Sequence, residues 1–371
     1  MLILILRRSV ALPRTPLSLA IGCYVLAILA TLPDAAHPLV SIKGVARDLL
    51  YILAGYNLCV FFITTRRRLH VLLLVVLAAH AVLAVYGLAT QLAGEVRIYG
   101  EVAEPFFENH CIYAAFIALS MSVVLSYLFE TRTRGRLLLS GVLALWSVAV
   151  ALTFVRGAWI SLCAVVVFYL WMYRRQLSPR MLFVLVVAGA VVALVAGGLQ
   201  LKYLFEERLA HALDTGYVTN RDRLDRWGAA ASMFLAHPLN GVGWAAYADE
   251  YFRYIYFLDA YSTDIRMGAH NLYLEIAAES GIIGLAAFAA LIAVFYGRMT
   301  RLARRLPRGG PRCLAIGLGG AMLSYLVHAF VNNLGPSDKI GVSFWLLFGL
   351  LAVVERLAEE SPPAPLVKGG V

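Results

Sequence analysis

The chain has 371 residues, a net charge of +10, and 61% hydrophobic against 15% charged residues. Its apolar residues gather in runs near the roughly 20 residues with which an α-helix crosses about 30 Å of hydrocarbon, which excludes a water-soluble globular domain. The runs are continuous rather than alternating, which excludes an outer-membrane barrel.

The first six residues are apolar but too few to cross, and Arg7 and Arg8 stop them. They read either as the tail of an upstream helix or as a surface-lying start. The next run has no small-residue cleavage pattern, so it is not a removed signal peptide. Spans are predicted over 16–32, 45–63, 69–93, 110–129, 137–154, 157–173 and 181–199, then over 270–296, 314–332 and 340–354. The expected architecture is an all-α polytopic membrane protein in three regions: 1–199 N-terminal transmembrane, 200–269 an outer helical loop, and 270–371 C-terminal transmembrane with a tail.

Arginine clusters mark every second connection: Arg7, Arg8 and Arg14; Arg66 to Arg68; Arg132, Arg134 and Arg136; Arg174, Arg175 and Arg180; and the run from Arg298 through Arg301, Arg304, Arg305 and Arg308 to Arg312. Positive-inside orientation puts these in the cytoplasm with both chain ends. The 94–109 connection, with Glu95, Glu101, Glu104 and Glu108 against Arg97, falls outside with 200–269. Inner-membrane lipid headgroups account for the positive excess, and no nucleic-acid partner is expected. The five cysteines form no ligand-like pair and the outer loop has none, so neither a disulfide-stapled exterior nor a metal site is expected. Walker loops, paired zinc histidines and nucleophile elbows are absent from the sequence.

Within the outer loop, Tyr203–Leu213, Asp222–Ala236 and about Asp249–Leu258 have the spacing of interfacial helices. His237–Pro238–Leu239–Asn240–Gly241 breaks the pattern, and the loop reads as a lid or shelf over the membrane helices. Asn220 is placed to cap the middle helix, and Asp222–Arg226 and Arg221–Asp225 are spaced as i,i+4 ion pairs. Arg223 is left over, so Arg221 or Arg223 is available for phosphate. Arg156 lies in a very short outer turn, where its guanidinium fork suits phosphate oxygens or headgroups alike. His270 opens the next apolar pattern, and the positive end of that helix favours a neutral, proton-accepting ring. Glu279, about 13 Å deeper on an ideal helix and on the opposite face, points to the bundle interior. Glu275 reads as more peripheral. His328 and Asn332 share an i,i+4 face as possible cavity support, and Asn333 is placed to cap the helix end.

Three ordered segments carry a resemblance: Phe154–Val155–Arg156–Gly157–Ala158–Trp159; Arg226–Trp227 through His237–Pro238–Leu239–Asn240–Gly241–Val242–Gly243; and His270–Asn271–Leu272–Tyr273–Leu274–Glu275 through Glu279–Ser280–Gly281. Together with the large outer loop before the histidine-led helix, they resemble the O-antigen ligase and polymerase superfamily over essentially the whole chain. The resemblance implies a multi-helix glycosyltransferase bundle of the GT-C class in the bacterial inner membrane, with a periplasmic loop and site. It implies an undecaprenyl-pyrophosphate-linked O-antigen donor, lipid A-core as acceptor, lipopolysaccharide as product and no cofactor. Arg156 and Arg221 match pyrophosphate-binding positions and His270 the essential histidine, with Arg223 and Arg266 as secondary phosphate contacts. The alternatives are a polymerase whose acceptor is another lipid-linked glycan and, further off, a polyprenyl-glycan transporter. Family ligases have twelve spans against ten here, and the apolar start is compatible with either an upstream pair or a surface-lying beginning.

Overall fold

The computed structural model describes residues 15–92, 104–107, 109–130, 133–174, 218–255, 267–335 and 337–360. Its helices are α1 Pro16–Leu29, α2 Pro38–Phe62, α3 Arg66–Leu92, α4 His110–Leu128, α5 Thr133–Leu152, α6 Arg156–Tyr173, α7 Val218–Ala236, α8 Tyr247–Tyr254, α9 Leu272–Arg305, α10 Gly310–His328 and α11 Asp338–Glu359. Eight of them are long and apolar enough to cross a membrane, and the described residues contain no strand. The chain is therefore an all-α polytopic membrane protein. The eight correspond to predicted spans, whereas α1 has only 14 residues. The predicted span 181–199 and helix Tyr203–Leu213, together with Arg266, lie outside the described residues.

Local chemistry sets the helix ends. Pro16 opens α1 behind a reciprocal cap in which Thr15 Oγ1 accepts from the Ser18 amide at 3.2 Å and Ser18 Oγ accepts from the Thr15 amide at 2.9 Å. A π-helical turn at Ile52–Asn57 interrupts α2 where it lies against α11. At the core, α10 packs between α4 and α6. Tyr169 of α6 donates its hydroxyl proton to Ser122 O at 2.5 Å, and Ser126 Oγ donates to Cys313 O at 2.8 Å. In a bilayer such close packing and interhelical hydrogen bonds replace the hydrophobic drive that assembles soluble cores.

The feature that organises the His270 end is a break in α9. Gly281 has φ 61° and ψ −161°, outside the helical region. The helix therefore has a short upper arm, Leu272 to Ser280, and a long lower one. The Pro238–Gly243 turn is stitched into the break by backbone bonds: the Ile282 amide donates to Pro238 O (2.8 Å), the Val242 amide to Ala278 O (2.9 Å) and the Gly243 amide to Glu279 O (3.0 Å). These bonds satisfy groups that a kinked membrane helix would leave bare. Gly241 (φ 67°) and Gly281 meet backbone to backbone, and a Cβ on either would strike the other segment. From the far side, Asn240 Nδ2 donates to Asp34 at 3.1 Å, the Ala36 amide to Val242 O at 2.9 Å and Trp244 Nε1 to Asp48 at 2.8 Å. The predicted shelf is thus a wedge clamped between the α1–α2 connection and the kink.

Four expectations are corrected. Asn220 lies within the helical residues of α7 rather than capping them. Helix α9 starts at Leu272 with Asn271 as its cap, so His270 precedes the helix. Helix α10 ends at His328, and Asn333, five residues on, bonds Glu275 instead of capping. Glu275 is buried, not peripheral, because the returning chain covers its face. In α8, Tyr247–Tyr254 stands where 249–258 was expected, and residues 256–258 are not described.

Candidate functional site

Arg156 is the first residue of α6, placed by a tight turn in which Phe154 takes φ 57° and Thr153 Oγ1 donates to Val150 O at 2.7 Å. The next residue, Gly157, sets the depth of that helix end. A Cβ there would lie 2.8 Å from His328 Cδ2, 2.9 Å from Val331 and 3.0 Å from Asn332 Nδ2, so only glycine lets the start of α6 sit against the end of α10. His328 and Asn332 consequently do meet, at Gly157, although Asn332 lies beyond the helix. His328 is 1% exposed, and neither ring nitrogen has a hydrogen-bond partner.

Helix α7 supplies the next cations. Arg226, fully buried, donates Nε to both carboxylate oxygens of Asp222 (3.1 and 3.0 Å) and Nη1 to Met267 O (3.3 Å), and its guanidinium lies 5.0 Å over the Tyr251 ring. The Asp222–Arg226 pair is as predicted, and it also ties α7 to the segment carrying His270. Arg223 is half-buried. Burial first, and then the Arg156 guanidinium, push its pKa below the ordinary arginine value, with Cys111 and Asp222 opposing. Arg156 therefore acts on Arg223 of α7. Arg221 is exposed and about 200° round the helix from Arg223.

His270 sits in the left-handed region (φ 52°) immediately before the Asn271 cap, whose side chain accepts from the amides of Tyr273 (3.0 Å) and Leu274 (3.1 Å). Burial, then Arg226 and Arg223, push its pKa down to about 4, against a smaller upward pull from Asp222. The ring is neutral at pH 7, as anticipated, but through burial and two arginines. Glu275 fixes this strained segment from below. Its Oε2 accepts from the Ala269 amide at 2.8 Å and its Oε1 from Asn333 Nδ2 at 3.1 Å, while the Leu272 amide donates to Ala329 O at 2.9 Å. Glu279 accepts from the Tyr247 amide at 3.1 Å and so anchors the loop rather than the Arg156 group.

Arg223 of α7 thus lies within electrostatic reach of both Arg156 at the start of α6 and His270 at the α9 entrance. Below them, α6, α9 and α10 form an apolar groove of about 590 Å³ lined by Gly157, Ile160, Tyr273, Leu323, Leu326, Val327, Phe330 and Val331. Two arginines within electrostatic reach of each other near a neutral imidazole favour a polyanion, and the groove favours an attached hydrocarbon. Among the described residues no group of three or more His, Cys, Asp and Glu is arranged to hold a metal ion. Arg226, Glu275 and Asn333 were missed as supports because their partners are backbone atoms or distant residues. The one local signal was Asn271 before an apolar run, the pattern of an N-cap.

Residues 140–289 match the family model described as O-antigen ligase. The match runs from α5 through α7 to the upper half of α9. No curated protein matches the chain. A chain of the solved structure described as "Structural coordination of polymerization and crosslinking by a peptidoglycan synthase complex" is similar at 20% identity and TM-score 0.51, covering 93% of this chain and 96% of that one. The likeness is one of fold.

Proposed function

We propose that this chain is a membrane glycosyltransferase that moves a glycan from a polyprenyl-pyrophosphate carrier, undecaprenyl pyrophosphate in the bacterial inner membrane, to a sugar hydroxyl on the periplasmic side. The observation that carries the reading is Arg223 within electrostatic reach of both Arg156 and His270, above the α6–α9–α10 groove. In this reading the groove takes the start of the polyprenyl chain, and Arg156 and Arg223 hold the pyrophosphate. The arginines neutralise charge as the glycosyl–oxygen bond breaks. Arg221, on the outer face of α7, and Arg266 meet the donor from the loop. Neutral His270 orients the acceptor hydroxyl and takes its proton as the oxygen attacks the anomeric carbon, and the pyrophosphate leaves with the bonding pair. One displacement inverts the anomeric configuration. A pyrophosphate leaves without protonation, so no second carboxyl is required, and Glu275 and Glu279 serve as supports.

The better-supported acceptor is a second lipid-linked glycan, which makes the enzyme a glycan polymerase. The full-length fold likeness to a chain from a complex described by its polymerisation supports this reading. The second reading is ligation of O-antigen to lipid A-core, favoured by the description of the matched family model.

The test is reconstitution with a defined polyprenyl-pyrophosphate glycan and competing acceptors, read by product mass and linkage. We expect an elongated lipid-linked glycan, and a His270→Ala protein about 100-fold or more slower, as for loss of a general base. Product on lipid A-core alone would select the ligase, and transmembrane movement without a new glycosidic bond would overturn glycan transfer.

A further inference from the structure

At the opposite end of α9, about 50 Å of helix from His270, a second pocket of about 520 Å³ is lined by Tyr296, Gly297, Thr300, Arg301, Arg304 and Arg305. Three other arginines near this end are committed inside the fold. Arg298 pairs with Glu355, Arg312 with Glu130, and Arg356 donates to Val60 O and Ile63 O. Arg301, Arg304 and Arg305 are exposed and have neither ion pair nor hydrogen bond among the described residues. Gly297, Thr300, Arg301 and Arg304 follow i, i+3, i+4 and i+7 and so share one helix face. Tyr296 forms a fixed wall, its hydroxyl donating to Gly319 O at 3.0 Å, and the space a Gly297 Cβ would enter is empty. The pocket therefore joins an apolar floor, still within a membrane-crossing helix, to three uncommitted guanidiniums at its end.

We propose that this pocket binds the phosphate headgroup of an anionic phospholipid in the inner leaflet, with an acyl chain running past Gly297 and Tyr296. Orientation by arginine count explains why cations lie on this face, but not why three of them border one pocket while Arg298 and Arg312 are paired with glutamates. Guanidinium forks match phosphate oxygens, and basic pockets at the cytoplasmic surface of helix bundles recognise such headgroups. The site is independent of the transfer reading.

The experiment is native mass spectrometry of the full-length protein released from detergent in the presence of phosphatidylglycerol, phosphatidylcholine or inorganic phosphate. We expect phosphatidylglycerol to be retained at least tenfold more than phosphatidylcholine, and millimolar phosphate not to displace it. Arg301→Gln/Arg304→Gln/Arg305→Gln should lose that preference. Arg66→Gln/Arg67→Gln, which removes exposed charge from the predicted same face elsewhere, should keep it. Gly297→Leu, which fills the pocket and leaves every charge, should lose it too and serves if the triple variant does not fold. Equal loss in the Arg66/Arg67 variant would mean diffuse attraction, retention in Gly297→Leu would mean no pocket, and displacement by phosphate would mean a free-anion site. Each overturns the proposal.

Discussion

A buried histidine within electrostatic reach of two arginines is ready to receive a proton only if its ring stays neutral, and the sign of its shift decides this. Burial, Arg226 and Arg223 lower the His270 pKa to about 4 while Asp222 opposes them. The accepting form therefore persists from neutral pH down to about 4, not merely to the ordinary value near 6.5. We expect kcat/KM to show no His270 limb between pH 7 and 5 and to fall about tenfold per unit below 4. Arg223→Gln, by removing one repelling cation, should move that limb upward. Initial rates across pH provide the check, and a wild-type limb centred near 6.5 would contradict the assignment. Beneath the ring, Glu275 is the positioning residue. Glu275→Gln leaves either the Ala269 amide or Asn333 Nδ2 without its acceptor, at a cost of about 1–3 kcal/mol. We expect kcat to fall about tenfold or more with donor KM unchanged. Adding Asn333→Asp reverses the polarity of the pair and should restore most of the rate, whereas a merely bulky role for Glu275 predicts no rescue.

Among the elements, the kink of α9 carries the most testable strain. Gly281→Ala puts a Cβ against the backbone of Leu239 at positive φ and should destabilise the protein by more than about 2 kcal/mol. Gly22→Ala in α1, where a Cβ meets nothing within 4 Å, should be neutral or slightly stabilising. Thermal unfolding in detergent separates them, and equal melting temperatures would remove the stitched-kink account. The same element shows what a sequence reveals. Apolar runs announce helices because lipid demands continuous hydrophobicity, and α2–α6 and α9–α11 were legible for that reason. The break at Gly281 was not, since the apolar run continues through it and the interrupting partner, Pro238–Gly243, pairs through backbone atoms that leave no side-chain pattern. Glu275 was misjudged similarly, because its helical face is buried only by Asn333 and Ala269 arriving from elsewhere. Arg156 and His270 could be named from the sequence as residue types, whereas the directions in which Arg221 and Arg223 face depend on the rotation of α7.

For the molecule as a whole, the proposed orientation, argued from arginine placement, turns the His270 end outward. In a background with the exposed Cys23 and Cys163 replaced by serine, Leu239→Cys, 63% exposed on the wedge, should react with a membrane-impermeant maleimide in intact spheroplasts. Arg308→Cys should react only after permeabilisation. The reverse pattern would place the candidate site in the cytoplasm and remove the periplasmic reading. Orientation matters here because 34-residue α9 carries about 50 Å of rise against about 30 Å of hydrocarbon. In the proposed orientation its lower arginines belong at the phosphate layer, and the upper arm beyond the Gly281 kink, with His270 just before its Asn271 cap, reaches past the opposite hydrocarbon boundary. Membrane thickness then acts as a depth gauge for the chemistry: a thicker bilayer draws the histidine down among the headgroups, and a thinner one lifts it toward water, changing how far a sugar must reach to be joined.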